Sequence, residues 1–167
     1  MTALPLLLRT EHPGDAVGIE RLHARAFGPG RFARTAYRLR EGSAPVSELC
    51  FTALVGSYLV GSVRLWPAEA GGSLLVLGPL TVDPSFEGRG IGSSLMHMAL
   101  DAARSAGHGL VVLVGDAPYY RRFGFTPVPP GRLVPPGPVD PVRFLWCELV
   151  PGAAETVRGT VSAVRPR

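Results

Sequence analysis

Residues 83–92 read D-P-S-F-E-G-R-G-I-G and join an apolar run to a helical pattern. Gly88, Gly90 and Gly92 alternate with other residues, so the backbone there stays uncovered by side chains. The N–H groups of a first helical turn lack intrahelical partners and carry partial positive charge. A glycine loop running into such a turn suits an anion that approaches the backbone, a phosphate or pyrophosphate foremost. A tight turn that only relieves crowding would use the same residues, so the loop alone leaves both readings open.

The segments around the loop restrict the architecture further. Residues 3–10 read as a strand. Asp15 then stands as a cap before a helix carrying Ile19, Leu22, His23, Ala26 and Phe27 at helical spacing. Gly28-Pro29-Gly30 breaks that helix, and 31–41 form a second, Arg-rich short one. Glu48–Val55 and Tyr58–Trp66 are two strands about a Gly-Ser turn, and Leu74–Val82 is a third, interrupted by Gly78-Pro79. Pro and Gly inside a strand mark a bulge or a close approach to the backbone. After the loop, a helix over about Gly90–Ala106 carries an apolar stripe of Ile91, Leu95, Met98, Ala99, Ala102 and Ala103, with Gly107 as its stop. Leu110–Val114 contains only Leu and Val and reads as a buried strand. A short helix over Pro118–Arg122, an extended Pro-rich loop over 126–141, a strand over Arg143–Val150 and weak strand character near Val157–Val164 complete the chain. The order β-α-α-β-β-β-α-β-α-β predicts an α/β or α+β mixture on one sheet, a single domain over 1–167.

Composition removes whole classes of chemistry. The hydrophobic fraction is 46% and the charged fraction 18%, as in a globular chain, and no run approaches the ~20 apolar residues of a membrane span. The apolar patch Leu4–Leu8 has no basic leader and is too short for a signal peptide, so the expectation is a cytoplasmic protein without a membrane role. All 17 basic residues are Arg, and Lys, Asn and Gln are absent. Schiff-base chemistry and a Walker lysine are therefore excluded. A net charge of +4 with scattered arginines argues against a nucleic-acid partner and fits an anionic small ligand. Cys50 and Cys147 lie in apolar runs without a C-x-x-C and read as buried thiols; no metal site is expected.

Three nucleotide-binding arrangements compete for the loop. The P-loop fails for want of lysine. A Rossmann fingerprint fails because the slot after Gly88 and Gly90 is Ser93, and because the loop follows three meander strands instead of opening a first βαβ unit. The third fits. The run L-G-P-L-T-V-D-P-S-F-E-G-R-G-I-G-S-S-L, followed by a helix and V-V-L-V-G-D-A-P-Y-Y-R-R-F-G-F, resembles the GNAT superfamily of acetyl-CoA-dependent N-acetyltransferases. That family's signature is Gln or Arg, two residues, Gly, one residue, then Gly or Ala, matched here over Glu87–Gly92. Its later block, an aromatic residue followed after three positions by Gly-Phe, is matched by Tyr120 and Gly124-Phe125. The G-D-x-x-Y-Y-x-R-F-G-F form looks like a bacterial branch of predicted N-acetyltransferases. The likeness is strongest over 74–128.

The resemblance implies a GNAT-like fold, a mostly antiparallel sheet flanked by helices, and an acetyl transfer from acetyl-CoA to a primary amine of a small molecule by direct attack. It places the pyrophosphate on the amides of Gly88, Arg89, Gly90, Ile91, Gly92 and Ser93, and the pantetheine along Leu80, Thr81 and Val82. The amide of Val82 or Leu80 would hold the developing oxyanion. Glu87 departs from the family's Gln or Arg; a carboxylate beside a pyrophosphate is repelled, so a Glu87 turned to solvent is expected. Tyr120 matches the family's general acid, with Tyr119 as the alternative. By residue type alone, Asp116, Glu69, His97 and Glu48 are candidates for the base, with Asp116 able instead to cap the short helix. Arg121 and Arg122 are either phosphate ligands or solvated charges. Trp66 and Trp146 read as core or pocket wall. Competing readings are an acyl-CoA-binding module without catalysis, transfer to a peptide amine, and a nucleotide-dependent oxidoreductase. Edge strands near the C-terminus leave room for a homodimer.

Overall fold

A computed structural model of the chain describes residues 5–27 and 35–167. In chain order the strands and α-helices are β1 (Leu6–Thr10), α1 (Ala16–Phe27), α2 (Thr35–Arg38), β2 (Phe51–Val55), β3 (Tyr58–Glu69), β4 (Ser73–Val82), α3 (Ile91–Ser105), β5 (Leu110–Val114), α4 (Ala117–Tyr120), β6 (Thr126–Pro127), β7 (Leu133–Val134), β8 (Phe144–Glu148), β9 (Gly159–Thr160) and β10 (Ser162–Ala163). The main sheet runs β1-β2-β3-β4-β5-β8-β6, with β10 added to β3; β7 and β9 pair separately. Within the main sheet β4 and β5 are parallel and every other pairing is antiparallel. The expected mixed fold with a mostly antiparallel sheet is therefore present. No helix among the described residues is long and apolar enough to cross a membrane.

The alternation of side chains along β4 and β5 explains why both runs are almost wholly apolar. Leu75, Leu77, Val111 and Leu113 enter a core with α3, Phe123 and Phe125. Leu74, Val76, Leu110 and Val112 enter a second core on the other face, with Leu133, Trp146, Val157 and Val161. Chain from the Pro-rich loop and the tail thus covers this second face. Arg132 helps to fasten it, donating from Nη2 to the Ala154 carbonyl at 2.8 Å.

Several expectations shift in detail. The strand expected from Glu48 begins at Phe51, because Ser47–Leu49 forms a 3-10 turn first. Asp15 sits just ahead of α1, but its carboxylate turns back to the His12 N–H at 2.8 Å and to Arg9 at 2.7 Å. The buried face of α3 includes Ile91, Leu95, Ala99 and Ala103 as expected, and also Met96 and Leu100, whereas Met98 and Ala102 are only partly buried. The helix is thus rotated from the expected stripe. Gly107 ends it with φ +88°, its N–H on the Arg104 carbonyl at 3.1 Å. The break at 28–30 and residues 31–34 lie outside the described residues, and of the helix expected over 31–41 α2 covers Thr35–Arg38, with 39–41 already in turns. The tail does add to the sheet, β10 pairing with Ala68 and Glu69 of β3. Both cysteines are free and buried, and burial pushes the Cys50 thiol up to about 11.

One feature of the sheet creates a cleft. The β4–β5 ladder consists of Leu75↔Val111 and Val76↔Val112 and stops there, although both strands continue. β5 stays with β8 through Val114↔Phe144. β4 stays with β3, with a register shift between Val63 and Leu65, opposite Gly78-Pro79. That dipeptide is cis, and Gly78 has φ +144°. From there onward one side of β4 has no neighbouring strand among the described residues.

Candidate active site

The freed edge of β4 offers backbone donors. Asp83 N–H bonds the Val60 carbonyl on β3 at 2.8 Å, and the register continues through Thr81↔Ser62. In an antiparallel pair the bonding direction alternates along the strand. The amides of Leu80 and Val82 therefore point away from β3, into the cleft. Thr81 contributes no side chain there: it is 2% exposed and faces the same way as its cross-strand partner Ser62.

Where β4 ends, Asp83 fastens the loop. The residue is 4% exposed. Its Oδ1 accepts from the Ser85 N–H at 2.9 Å, and its Oδ2 accepts from the Tyr58 hydroxyl at 3.1 Å and lies 3.2 Å from Arg25 Nη2. Burial alone would raise this carboxyl, but the hydrogen bonds from Ser85 and Tyr58 and the Arg25 charge outweigh it and hold it below its ordinary range. Beyond this anchor the backbone turns left-handed twice, at Gly88 (φ +78°) and at Gly90 (φ +77°), the cap of α3. Neither has a heavy atom within 4 Å of where a Cβ would stand, so conformation and not crowding selects glycine there. Glu87 is exposed, as expected, and the Arg89 guanidinium lies 5.0 Å from the Phe86 ring. The loop therefore presents the first amides of α3 over an open surface.

Gly92 has a different reason. A Cβ there would stand 3.0 Å from the Tyr119 hydroxyl and 3.6 Å from Val82 Cγ2. Tyr119 thus lays its phenol against the start of α3. Tyr120 packs on the end of β5, where a Cβ at Gly115 would overlap its ring. The two rings meet edge to face at 4.9 Å, and Phe123 and Phe125 hold them at 5.5 and 6.0 Å respectively. Burial, reinforced by Tyr119, pushes the Tyr120 phenol up to about 12. Burial also raises Tyr119, with the Arg122 guanidinium over its ring at 4.8 Å opposing the shift. Both tyrosines line a cavity of about 450 Å³ between the parted strands, with Leu77–Leu80 on one wall and Leu113–Asp116 on the other.

Comparison with known proteins identifies the family. Residues 47–127 match the family model of an acetyltransferase (GNAT) domain. The chain is 34% identical over 123 residues to the uncharacterized N-acetyltransferase YhbS of Escherichia coli strain K12, covering 72% of this chain and 73% of that protein. The chain belongs to the GNAT family of N-acetyltransferases. The crystal structure of E. coli YhbS in complex with CoA superposes with a TM-score of 0.82 at 30% identity, over 98% of this chain and 92% of that one. A GNAT family acetyltransferase from Brucella melitensis in complex with acetyl-CoA gives a TM-score of 0.61 at 27% identity, over 91% and 99%.

The candidate bases of this acetyltransferase separate by position. Asp116 lines the cavity, exposed; it occupies the cap position of α4, but its side chain makes no capping bond. His97 is exposed on α3, its ring 5.2 Å from Phe123. Glu48 lies in the turn before β2, and Glu69 ends β3 against β10; neither lines the cavity. Trp146 belongs to the core, whereas Trp66 forms the wall of a neighbouring recess and donates from Nε1 to the Gly78 carbonyl at 2.6 Å. The rest of the lining comes from residues that sequence reasoning did not single out: Ala36, Tyr37, Arg40 and Arg143, together with Phe27, read there only as a helix-face residue. Nothing in their local sequence marks them, since Phe27, Ala36, Tyr37 and Arg40 reach the cavity only when α1, α2 and the turn after it meet the parted strands, and Arg143 only when the chain before β8 meets Gly115 at the end of β5.

Proposed function

We propose that this acetyltransferase transfers an acetyl group from acetyl-CoA to a primary amine of a small molecule seated in the cavity. The observation that carries the reading is the alignment of three features along one cleft: the glycine turn at the start of α3, the outward amides of Leu80 and Val82, and the half-buried Tyr119–Tyr120 pair. The pyrophosphate would rest on the amides of Gly88–Ser93, and the pantetheine would follow Leu80–Val82 in place of the missing strand.

In the proposed reaction the neutral amine nitrogen attacks the thioester carbon, and the N–C bond forms. The carbonyl oxygen gains charge against the amide of Leu80 or Val82, and one such donor is typically worth about 3 kcal/mol at the transition state. The C–S bond then breaks. Tyr120 gives its proton to the departing sulfur and recovers one from solvent. The ammonium proton that must leave before attack passes through water to Asp116 at the cavity wall, and the proton that the nitrogen sheds after attack goes to solvent. A phenol raised to about 12 remains protonated throughout the neutral range, as an acid in this role must.

The test combines binding and turnover. Acetyl-CoA at about 100 times its Kd should stabilise the fold by ~2.7 kcal/mol, with NADH and ATP giving no comparable shift. Acetylation of an amine panel, followed by thiol release, should then be lost in Tyr120→Phe. A shift with acetyl-CoA and no transfer to any amine would replace the enzyme with an acyl-CoA-binding module; no shift would remove the cofactor reading altogether.

A further inference from the structure

Among the described residues the part-buried arginines are held in different ways, Arg132 by the Ala154 carbonyl and the Trp146 ring, Arg9 and Arg64 by carboxylates. Arg9 lies 2.7 Å from Asp15, and Arg64 lies 2.8 Å from Glu11. Arg40 has no such partner. The one hydrogen bond of its guanidinium among the described residues runs from Nη1 to the Ala36 carbonyl at 3.0 Å. The rings of Tyr37 and Trp66 lie 5.5 and 5.9 Å from its Cζ. No ion pair reaches it among the described residues, and residues 1–4 and 28–34 contain neither Asp nor Glu. Of the neighbouring titratable groups, the Tyr37 phenol favours its charge and the Arg64 cation opposes it.

Arg40 lines both the main cavity and an adjoining recess of about 190 Å³. Burial lowers its guanidinium to about 10, which still leaves it cationic at neutral pH. A buried charge without a counter-ion is unfavourable, and aromatic faces offset it only in part. The guanidinium has five N–H donors in a planar fork that matches a carboxylate. Its Nη1 stands 3.7 Å from the place a Cβ would take at Gly78, a short step along β4 from the outward amide of Leu80.

We propose that Arg40 anchors a carboxylate of the acceptor, so that the amines this protein acetylates are short aminocarboxylates. The inference rests on the acetyl-transfer reading above. The carboxylate supplies the counter-charge that the chain itself does not provide. It also fixes the distance between the anchored end and the amine that must meet the thioester. Asp116 and Arg143 face the same cavity, and Glu20 and Arg64 the adjoining recess. Arg64 is already neutralised by Glu11.

The experiment measures binding and transfer separately. Short α- and ω-amino acids, each beside its carboxamide, are titrated calorimetrically into the CoA-loaded protein, and the same pairs are assayed for acetylation with acetyl-CoA. At least one carboxylate should bind about tenfold or more tightly than its carboxamide, and its kcat/KM should exceed the carboxamide's by a similar factor. Arg40→Met should abolish that preference, Arg40→Lys should keep part of it, and Arg104→Met, at an exposed pair with Asp101, should leave it intact. Thermal melts establish that each variant folds. The proposal is overturned if no carboxylate binds, if carboxamides bind as well, or if the preference survives Arg40→Met. Carboxylates that bind through Arg40 without any acetyl transfer would support the anchor and remove the acetyltransferase reading. Carboxamides acetylated as fast as carboxylates would do the reverse.

Discussion

On the α3 side of the cleft the protein offers backbone; on the α1–α2 side it offers side chains. The first side consists of the amides of Leu80 and Val82 and the left-handed turns at Gly88 and Gly90. The second consists of Phe27, Tyr37 and Arg40, with Trp66 in the adjoining recess. A backbone site depends on conformation, which short local sequence dictates, and it suits a ligand that is always the same. A side-chain site depends on residues brought together from distant segments and can be changed without disturbing the fold. The two halves should therefore fail in different ways when altered.

The largest effect is expected where the halves meet. In the proposed reaction Tyr120→Phe would remove the proton for the leaving thiolate while keeping the ring on Gly115, so kcat should fall on the order of 10²-fold or more with acetyl-CoA affinity unchanged. Steady-state kinetics beside calorimetry would show it. A matching loss of acetyl-CoA binding would mean that the phenol is part of the cofactor site. Because the Tyr120 phenol is pushed up to about 12, the wild-type rate should show no falling limb from this acid below about pH 10.

A smaller effect is expected at the backbone half. Gly90 has φ +77° with open space where a Cβ would be, so Gly90→Val meets strain, not collision. The left-handed conformation costs a β-branched residue at least about 1–2 kcal/mol, which corresponds to roughly five- to thirtyfold weaker acetyl-CoA if the turn relaxes to avoid it. The amine's KM should change little by comparison. Equal losses for both substrates would erase the division between the halves.

Those contrasts match what the sequence makes legible. β5 begins and ends at Leu110 and Val114 as its unbroken apolar run predicts, and the glycine turn and α3 follow from local pattern. The two-residue strands β6 and β7 do not, and β9 and β10 show only as weak strand character over 157–164, because each exists only through a partner far along the chain. The buried face of α3 differs from the expected stripe for a related reason. Met96 and Leu100 lie off the expected stripe and are buried by the sheet that the helix meets. Arg40 is one of 17 arginines, and no local feature separates a cation in a cavity wall from one in water.

The anchor below the glycine turn should matter for stability more than for chemistry. Asp83→Ala leaves the Tyr58 hydroxyl, the Ser85 N–H and Arg25 without their common acceptor, and about 1–3 kcal/mol of stability should be lost. The sign of the pH dependence follows from the lowered carboxyl. Its contribution is fully present above the unfolded value, about 4, and is lost as pH falls through the still lower folded value. Melting curves of the two proteins should therefore be well separated at pH 7 and converge as the buffer is taken below about pH 4. A separation that persists in acid would mean that Asp83 acts through packing alone.

The smallest effect belongs to Asp116, and its pH dependence distinguishes it from Tyr120. An amine with an ordinary value near ~10 is almost wholly protonated at pH 7, so a carboxylate at the cavity wall can help only while there is a proton to remove. Asp116→Asn should lower kcat/KM by about tenfold or less at neutral pH, and the deficit should disappear as the pH approaches the amine's own value. The Tyr120→Phe deficit should persist across the same range, since the thiolate leaves at every pH. Rate profiles of the two variants would thus separate, Asn rejoining the wild type and Phe running parallel below it. Parallel profiles for both would place Asp116 in orienting the acceptor. An Asp116→Asn profile identical to the wild type at all pH would assign the proton's exit to water alone, and the acceptor half of the cleft would then work by binding only.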